Sequence, residues 1–169
     1  SVADLIVGAS ATGCGFEMPL EAMLRFLVDP QPYESLTRDG GLLVKQGVDS
    51  VLLQQRADFL RPDSMLAVVV LSDENDCSVA VESQGFLTFD NAQFYRSTNA
   101  CQADPNDACC TSCFGGGEIE GCPSAAENGC AVERYTLTED PVNLRCFQQK
   151  SRYGVDFLYP TQRYVNALS

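Results

Sequence analysis

The sequence predicts an α/β fold in which a mainly parallel sheet is covered by helices. Residues 65–71 form an uninterrupted apolar run with three consecutive valines, which is typical of a strand buried on both faces. Residues 16–29 carry apolar side chains at helical spacing. The chain has 169 residues, 45% of them hydrophobic, so its length suits one domain with its own core.

Local patterns predict the elements in chain order. The first helix, over 16–29, has one apolar stripe formed by Leu20, Met23, Leu24 and Leu27. A polar stretch with a turn at residues 39–41 follows, and then a second helix over 50–60. After the predicted strand at 65–71 and a long Cys-rich segment, the chain closes with a short helix over 162–168.

Charge and residue types exclude several classes of function. The chain has 23 acidic and 11 basic residues, and its net charge of −12 disfavours binding to nucleic acid or anionic lipid. It contains no His, which excludes Ser-His-Asp and Cys-His catalysis and HExxH zinc sites. Its longest apolar run has seven residues, too few for a transmembrane segment. We therefore expect neither an enzyme nor a membrane-spanning chain.

The nine cysteines favour disulfides and an oxidising compartment. Seven of them lie between residues 101 and 146. The C-x-x-C spacing of Cys110 and Cys113 leaves zinc binding or thiol–disulfide exchange as alternatives, but the sequence has no second C-x-x-C. The cysteines expected in disulfides are Cys77, Cys101, Cys109, Cys110, Cys113, Cys122, Cys130 and Cys146.

Two features of the pairing follow from position in the chain. A bond between Cys77 and Cys146 would close the base of everything between them, and the neighbours Cys109 and Cys110 are expected to have different partners. The number of cysteines is odd, and Cys14 stands apart from the others. We expect Cys14 to pair with a cysteine upstream or in a second chain.

Residues 78–146 have the composition of an acidic, Cys-rich insertion. Between residues 101 and 146 there are eight acidic residues and two Arg, a charge of −6. Large apolar residues are scarce there, so disulfides are expected to supply order, with short strand-like pieces at 85–89 and 93–96. Residues 1–77 and 147–169 are then expected to be parts of one α/β domain.

Acidic side chains follow directly after the predicted buried strand. Asp73, Glu74, Asn75 and Asp76 lie where ligands bind in open α/β sheets, beyond the carboxyl end of a strand. Their oxygens are suitable ligands for Mg²⁺, Ca²⁺ or Mn²⁺. The alternative is a solvated acidic loop without a ligand.

An apolar strand followed by Ser72-Asp73-Glu74 resembles the fourth-strand motif of von Willebrand factor A domains. The segment from Thr12 to Glu17, leading into Pro19–Met23, resembles the glycine-rich loop and helix that precede that strand. More narrowly, the chain is similar to secreted and lipoprotein A-domain-like proteins of myxobacteria and related bacteria. The stretches that carry this similarity are 13–17 with 19–22, 59–63 through 76–78, and 145–146 with 154–160.

The resemblance implies a doubly wound, mainly parallel sheet and a metal-ion-dependent adhesion site that binds Mg²⁺ or Ca²⁺. Asp73 matches the ligand of the third loop, and Glu17 or Thr12 stands where the second loop supplies one. The first loop, Asp-x-Ser-x-Ser, is absent from the sequence, so it lies upstream of Ser1 or the site is degenerate. The chain would then be the middle and later part of a domain.

The resemblance also implies a function outside the cytoplasm. We expect a protein-binding or adhesion module that is extracellular, on the cell surface or periplasmic, with a protein as its partner. The alternative is a structural component of an envelope or extracellular assembly that needs no metal or ligand.

Overall fold

The computed structural model describes residues 16–82, 88 and 92–168. Along these residues lie five α-helices and two β-strands: α1 (Pro19–Leu27), β1 (Ser35–Asp39), β2 (Leu42–Gln46), α2 (Ser50–Phe59), α3 (Asn99–Ala103), α4 (Gln149–Tyr153) and α5 (Gln162–Leu168). Short helical turns occur at Phe114–Gly116, Ala126–Cys130 and Val142–Leu144.

Helices α1, α2 and α5 are at the positions predicted from sequence. Helix α1 begins at Pro19, where the missing N–H of proline is no loss. Helix α2 is capped by Asp49, whose carboxylate accepts a hydrogen bond from Leu52 N at 2.9 Å. Arg56 of α2 donates to carbonyl oxygens at the C-terminal end of α1, including Phe26 O at 2.6 Å. A cation there compensates the helix dipole and orients α1 against α2.

The polar stretch before α2 is a hairpin. Strands β1 and β2 pair antiparallel, with Ser35 opposite Gln46 and Asp39 opposite Leu42. Gly40 and Gly41 both have positive φ, at 54° and 85°, as a two-residue hairpin turn requires. The sequence predicted this turn but not the strands, because most hairpin side chains are exposed and carry no apolar pattern.

The predicted doubly wound, mainly parallel sheet is wrong for this chain. The hairpin is the only sheet within the described ranges. Residues 65–71 have no regular secondary structure and are exposed to solvent along their whole length. A strand requires neighbouring strands that share its backbone hydrogen bonds. An apolar run in the sequence indicates burial, but it does not indicate which strands would pair with it. Residues 16–82, 88 and 92–168 supply no such neighbour to this run.

Four disulfides connect the Cys-rich segment. The pairs are Cys77–Cys146, Cys101–Cys110, Cys109–Cys122 and Cys113–Cys130. The expected pair Cys77–Cys146 is present, and Cys109 and Cys110 have different partners, as predicted. Cys110 and Cys113 are each in a separate disulfide, so the zinc alternative is wrong for them. Cys14 lies outside the described residues.

A buried carboxylate, that of Asp140, lies at the centre of the part of the chain formed by the Cys-rich segment and α4, which we call the Cys-rich half. Asp140 is 1% exposed and accepts hydrogen bonds from Arg145 Nε at 2.9 Å and Arg152 at 2.5 Å. The Tyr153 hydroxyl donates to the same carboxylate at 2.6 Å. Burial and this carboxylate raise the pKa of Tyr153, so its hydroxyl keeps its proton and remains a donor. Arg145, itself 0% exposed, also donates to Ala92 O at 2.8 Å.

Residues of α4 and its C-terminal end pack closely on the Cys-rich segment. Ser97 Oγ donates to Ser151 O at 2.6 Å, and Ser97 N donates to Arg152 O at 2.9 Å. A Cβ at Gly154, whose φ is +73°, would lie 2.1 Å from the carbonyl carbon of Thr111. Only glycine permits the two backbones to approach so closely at this point.

The strand-like pieces predicted in the insertion are present only in part. Residues 85–89 lie outside the described residues apart from residue 88. Residues 93–96 contribute an isolated bridge between Tyr95 and Arg134 rather than a strand. The domain boundaries at residues 77 and 147 stay a prediction.

Removing the charge at the centre of the network should destabilise the fold strongly. We expect Asp140→Asn to lower the free energy of unfolding by about 3–5 kcal/mol, because it leaves the buried Arg145 guanidinium uncompensated. The exposed Asp63 provides a control, and Asp63→Asn should change stability by less than about 0.5 kcal/mol. Urea unfolding with the disulfides intact measures both values, and equal effects would contradict a central role for Asp140.

Candidate functional site

The N-terminus of α1 is held by a segment that lies more than fifty residues further along the chain. Leu20 N donates to Asp76 Oδ2, and Glu21 N donates to Ser78 Oγ, both at 3.0 Å. These N–H groups belong to the first turn, where a helix has no backbone partner of its own. The N-cap residue, Met18, has no side chain that could supply one. Residues 76–78 therefore complete α1.

This anchoring brings residues 73–76, which we call the acidic loop, beside the start of α1. Cys77 N donates to Glu17 O at 2.8 Å, and the Cys77–Cys146 disulfide adds the end of the Cys-rich segment to the same place. A cleft of about 610 Å³ lies between these three pieces of chain. Its lining residues are Phe16, Glu17, Asp73, Glu74, Asn75, Cys77, Asn143, Leu144, Cys146 and Phe147. We refer to it as the acidic cleft.

Two of the four predicted metal ligands line the acidic cleft. Glu17 and Asp73 face it, although 56 positions separate them in the sequence. Asp76 does not line it, since Asp76 Oδ2 accepts from Leu20 N and Asp76 Oδ1 accepts from Ser78 N at 3.0 Å. Thr12 lies outside the described residues. The sequence therefore identified two acids of the cleft, together with one acid that caps a helix.

The walls contributed by residues 143–147 were not anticipated. Leu144 and Phe147 are 49% and 47% exposed and give the acidic cleft an apolar side. The sequence contained a signal for them, because a bond between Cys77 and Cys146 necessarily places residues 143–147 beside residues 73–77. The cleft thus combines an acidic edge with exposed apolar groups.

The acids of the cleft differ electrostatically from the nearby Glu21. Glu21 accepts from Arg163 at 2.9 Å and from the Tyr164 hydroxyl at 3.2 Å, which attaches α5 to the first turn of α1. Burial and the Glu21 carboxylate raise the pKa of Tyr164 to about 12. Within the described ranges, Glu17 and Asp73 form no ion pair. Their negative charge is available to a ligand or partner.

The cleft offers oxygen atoms of the kind that Mg²⁺ and Ca²⁺ prefer. Glu17, Asp73 and Glu74 are all exposed and line one cavity, and Asn75 adds an amide. However, among the residues that the structure describes, no three His, Cys, Asp or Glu side chains are grouped closely enough to hold a metal ion. A cation here would need ligands beyond these side chains, such as water or a partner's oxygens.

Comparison with protein-family models, with curated proteins and with solved structures finds no match for this chain. The resemblance to von Willebrand factor A domains therefore gains no support from known proteins. The function has to be argued from the chain's own surfaces.

The roles of Asp76 and Asp73 predict different effects on stability. We expect Asp76→Ala to lower the free energy of unfolding by about 1 kcal/mol, because the first turn of α1 loses its acceptor. Asp73→Ala should be within about 0.5 kcal/mol of wild type, since Asp73 is exposed. Urea unfolding compares the two, and an Asp73 effect as large as that of Asp76 would show that the assignment is wrong.

Proposed function

We propose that this chain is a protein-binding module of an extracellular or cell-envelope protein. The observation that carries the proposal is the exposure of the apolar run at residues 65–71. Met65 is 93% exposed, Val69 78% and Leu71 92%. Soluble proteins rarely expose a contiguous apolar surface of this kind unless it contacts a partner.

The backbone of the run supports a particular mode of binding. The N–H and C=O groups of residues 65–71 form no hydrogen bond with any residue in the described part of the chain. Such a segment can be added as a strand to a partner's sheet, where main-chain bonds supply affinity. Its lack of charge allows both faces to be covered by apolar side chains. The partner is therefore a protein with an open sheet edge and apolar cover.

The acidic cleft extends the same surface along the chain. Ser72 joins Leu71 to Asp73, so a partner paired with the run also reaches the cleft. In our proposal Glu17 and Asp73 hold Mg²⁺ or Ca²⁺, and a carboxylate of the partner occupies an open coordination position. Two carboxylates do not complete the coordination of such an ion, so water and the partner's carboxylate would supply its remaining oxygen ligands.

The disulfides bear on where the module acts. The four disulfides among the described residues are typical of the oxidising compartments outside the cytoplasm. Along the described ranges, no helix combines the length and the apolar character that crossing a membrane requires. We propose the cell surface, the periplasm or the medium as the location, and binding rather than catalysis as the activity.

A second candidate is a permanent component of an envelope or extracellular assembly. It is favoured by the absence of charge from residues 65–71, because obligate interfaces are more apolar than transient ones. The two candidates differ in reversibility, since a module exchanges its partner and an assembly component does not.

A charge within the run should prevent partner binding. We expect Val69→Lys to weaken the complex at least tenfold, because the ammonium cannot be buried between two apolar layers. Val132 is 63% exposed and lies elsewhere in the chain, so Val132→Lys is the matched control.

The partner is first captured from secreted and envelope fractions with the wild-type chain. It is then purified, and its Kd is measured for each variant. An unchanged Kd for Val69→Lys would overturn the proposed surface, while a complex that does not exchange would favour the permanent assembly.

The role of a cation is tested separately. Titration of the wild-type chain with MgCl₂, CaCl₂ or MnCl₂ should give calorimetric heat and a higher Tm, both of which Asp73→Ala and Glu17→Gln remove. Glu120→Gln, at an exposed acid of the Cys-rich segment, should leave the titration unchanged. If the wild type gives no heat and no shift, the cation is removed from the proposal, and the result with Val69→Lys still decides the binding surface.

A further inference from the structure

A second cleft, of about 380 Å³, lies between the Cys-rich segment and the residues that follow α4. It shares no lining residue with the acidic cleft. Its aromatic lining residues are Phe94, Tyr95, Phe114, Tyr153 and Phe157. We refer to it as the aromatic cleft. Its size lies at the lower end of the range of small-molecule sites.

The rings of the aromatic cleft form a packed floor and an exposed wall. Phe94 is buried and contacts Tyr153 and Phe157, with ring centroids 4.8 Å and 5.7 Å apart. Phe114 is 70% exposed and meets the ring of Tyr95 edge to face at 5.0 Å. A further aromatic ring could lie against Phe114 and above the floor in the offset or edge-to-face arrangements that aromatic pairs prefer.

A cation stands at the edge of these rings. The guanidinium of Arg134 lies 4.1 Å from the centroid of Tyr95 and donates to the Tyr95 hydroxyl. Six of the basic side chains form ion pairs among the described residues, and Arg134 is not one of them. The net charge of −12 disfavours anions in general, so the attraction for a negative group at this cleft is local and comes from the exposed guanidinium of Arg134.

The backbone around the aromatic cleft is fixed before any ligand arrives. Arg96 N donates to Glu133 O at 2.7 Å, and Cys113 N donates to Arg96 O at 2.8 Å. Residues near 96 are thus held between two other pieces of chain. The Cys113–Cys130 disulfide anchors the wall that bears Phe114. A ligand would therefore have little chain to order on binding.

We propose that the aromatic cleft is a binding site for a small aromatic carboxylate. The ligand's ring lies against Phe114 and the floor, and its carboxylate accepts hydrogen bonds from Arg134. This site does not depend on the partner surface proposed above, because it uses different residues.

The probe is 3-phenylpropanoate, and its neutral analogue is 3-phenylpropanamide. We expect the wild-type chain to bind the acid about fivefold more tightly than the amide, which is the size of effect for a charge pair at an exposed edge. The binding is followed by ¹⁵N chemical shifts, with the largest changes at the residues around Phe114 and Tyr95.

Two variants separate the ring from the charge. Phe114→Ala should weaken both ligands about tenfold, whereas Phe59→Ala, which removes a 61% exposed ring that lines neither cleft, should weaken neither. Arg134→Gln should abolish the preference for the acid and leave the amide's Kd within about twofold, and Arg134→Lys should keep the preference. The amide dispersion of each variant's spectrum reports whether it is folded.

The proposal fails if the wild type binds both ligands equally, if it binds neither, or if Phe114→Ala changes nothing. A third ligand tests the source of the carboxylate. If the peptide Gly-Gly-Phe binds as tightly as 3-phenylpropanoate, the site accepts the C-terminus of a polypeptide, and the small-molecule assignment is overturned.

Discussion

The Cys-rich half of the chain depends on the compensation of one buried charge. The Asp140 carboxylate is excluded from water, and two guanidinium groups and a phenol replace its hydration. The donors are Arg145, before α4, and Arg152 and Tyr153, at its C-terminal end, so the carboxylate holds the end of α4 and the side chain of Tyr153 in place. Tyr153 then forms part of the floor of the aromatic cleft. Arg145 precedes Cys146, whose disulfide places the apolar wall of the acidic cleft. We call Asp140 and its three donors the polar centre, and this centre positions lining residues of both clefts.

A polar centre is suited to a segment with so few large apolar residues. Ser97, Thr98 and Gln149 are buried polar side chains of this half, and each of these three has a hydrogen-bond partner. Hydrogen bonds alone contribute little net stability and require the chain to be close to its folded shape. The disulfides meet this requirement because they reduce the number of conformations that the unfolded chain can adopt. The Cys113–Cys130 disulfide, for example, fixes the backbone next to the exposed Phe114 of the aromatic cleft.

The sequence predicted features that depend on residues close together in the chain. It missed the roles of residues whose partners lie far away in the chain. Pro19 and the apolar stripe of α1 lie within one helix, so its place was predictable. The Cys77–Cys146 pair was predictable because the two cysteines stand at the two ends of the Cys-rich segment, so a bond between them closes its base. Asp76 looked like a metal ligand because its sequence neighbours are acidic, whereas its carboxylate binds the N-terminus of α1. That role depends on a residue 56 positions away, and nothing in the pattern around Asp76 reports it. Likewise, the Asp140 network could not be read from its sequence, where Asp140 is one of eight acids in an acidic segment.

The apolar run at residues 65–71 shows how a sequence pattern and a fold can disagree for a physical reason. The pattern indicated burial on both faces, and it contained no information on what would bury them. Among residues 16–82, 88 and 92–168, the one sheet is a hairpin whose own side chains are largely exposed, so it offers no apolar layer to cover the run. The polar centre around Asp140 cannot cover it either, since uncharged side chains would displace donors that the carboxylate needs. The run's requirement for burial is therefore one that a second protein surface can meet, which is why we place partner binding there rather than at the acidic loop alone.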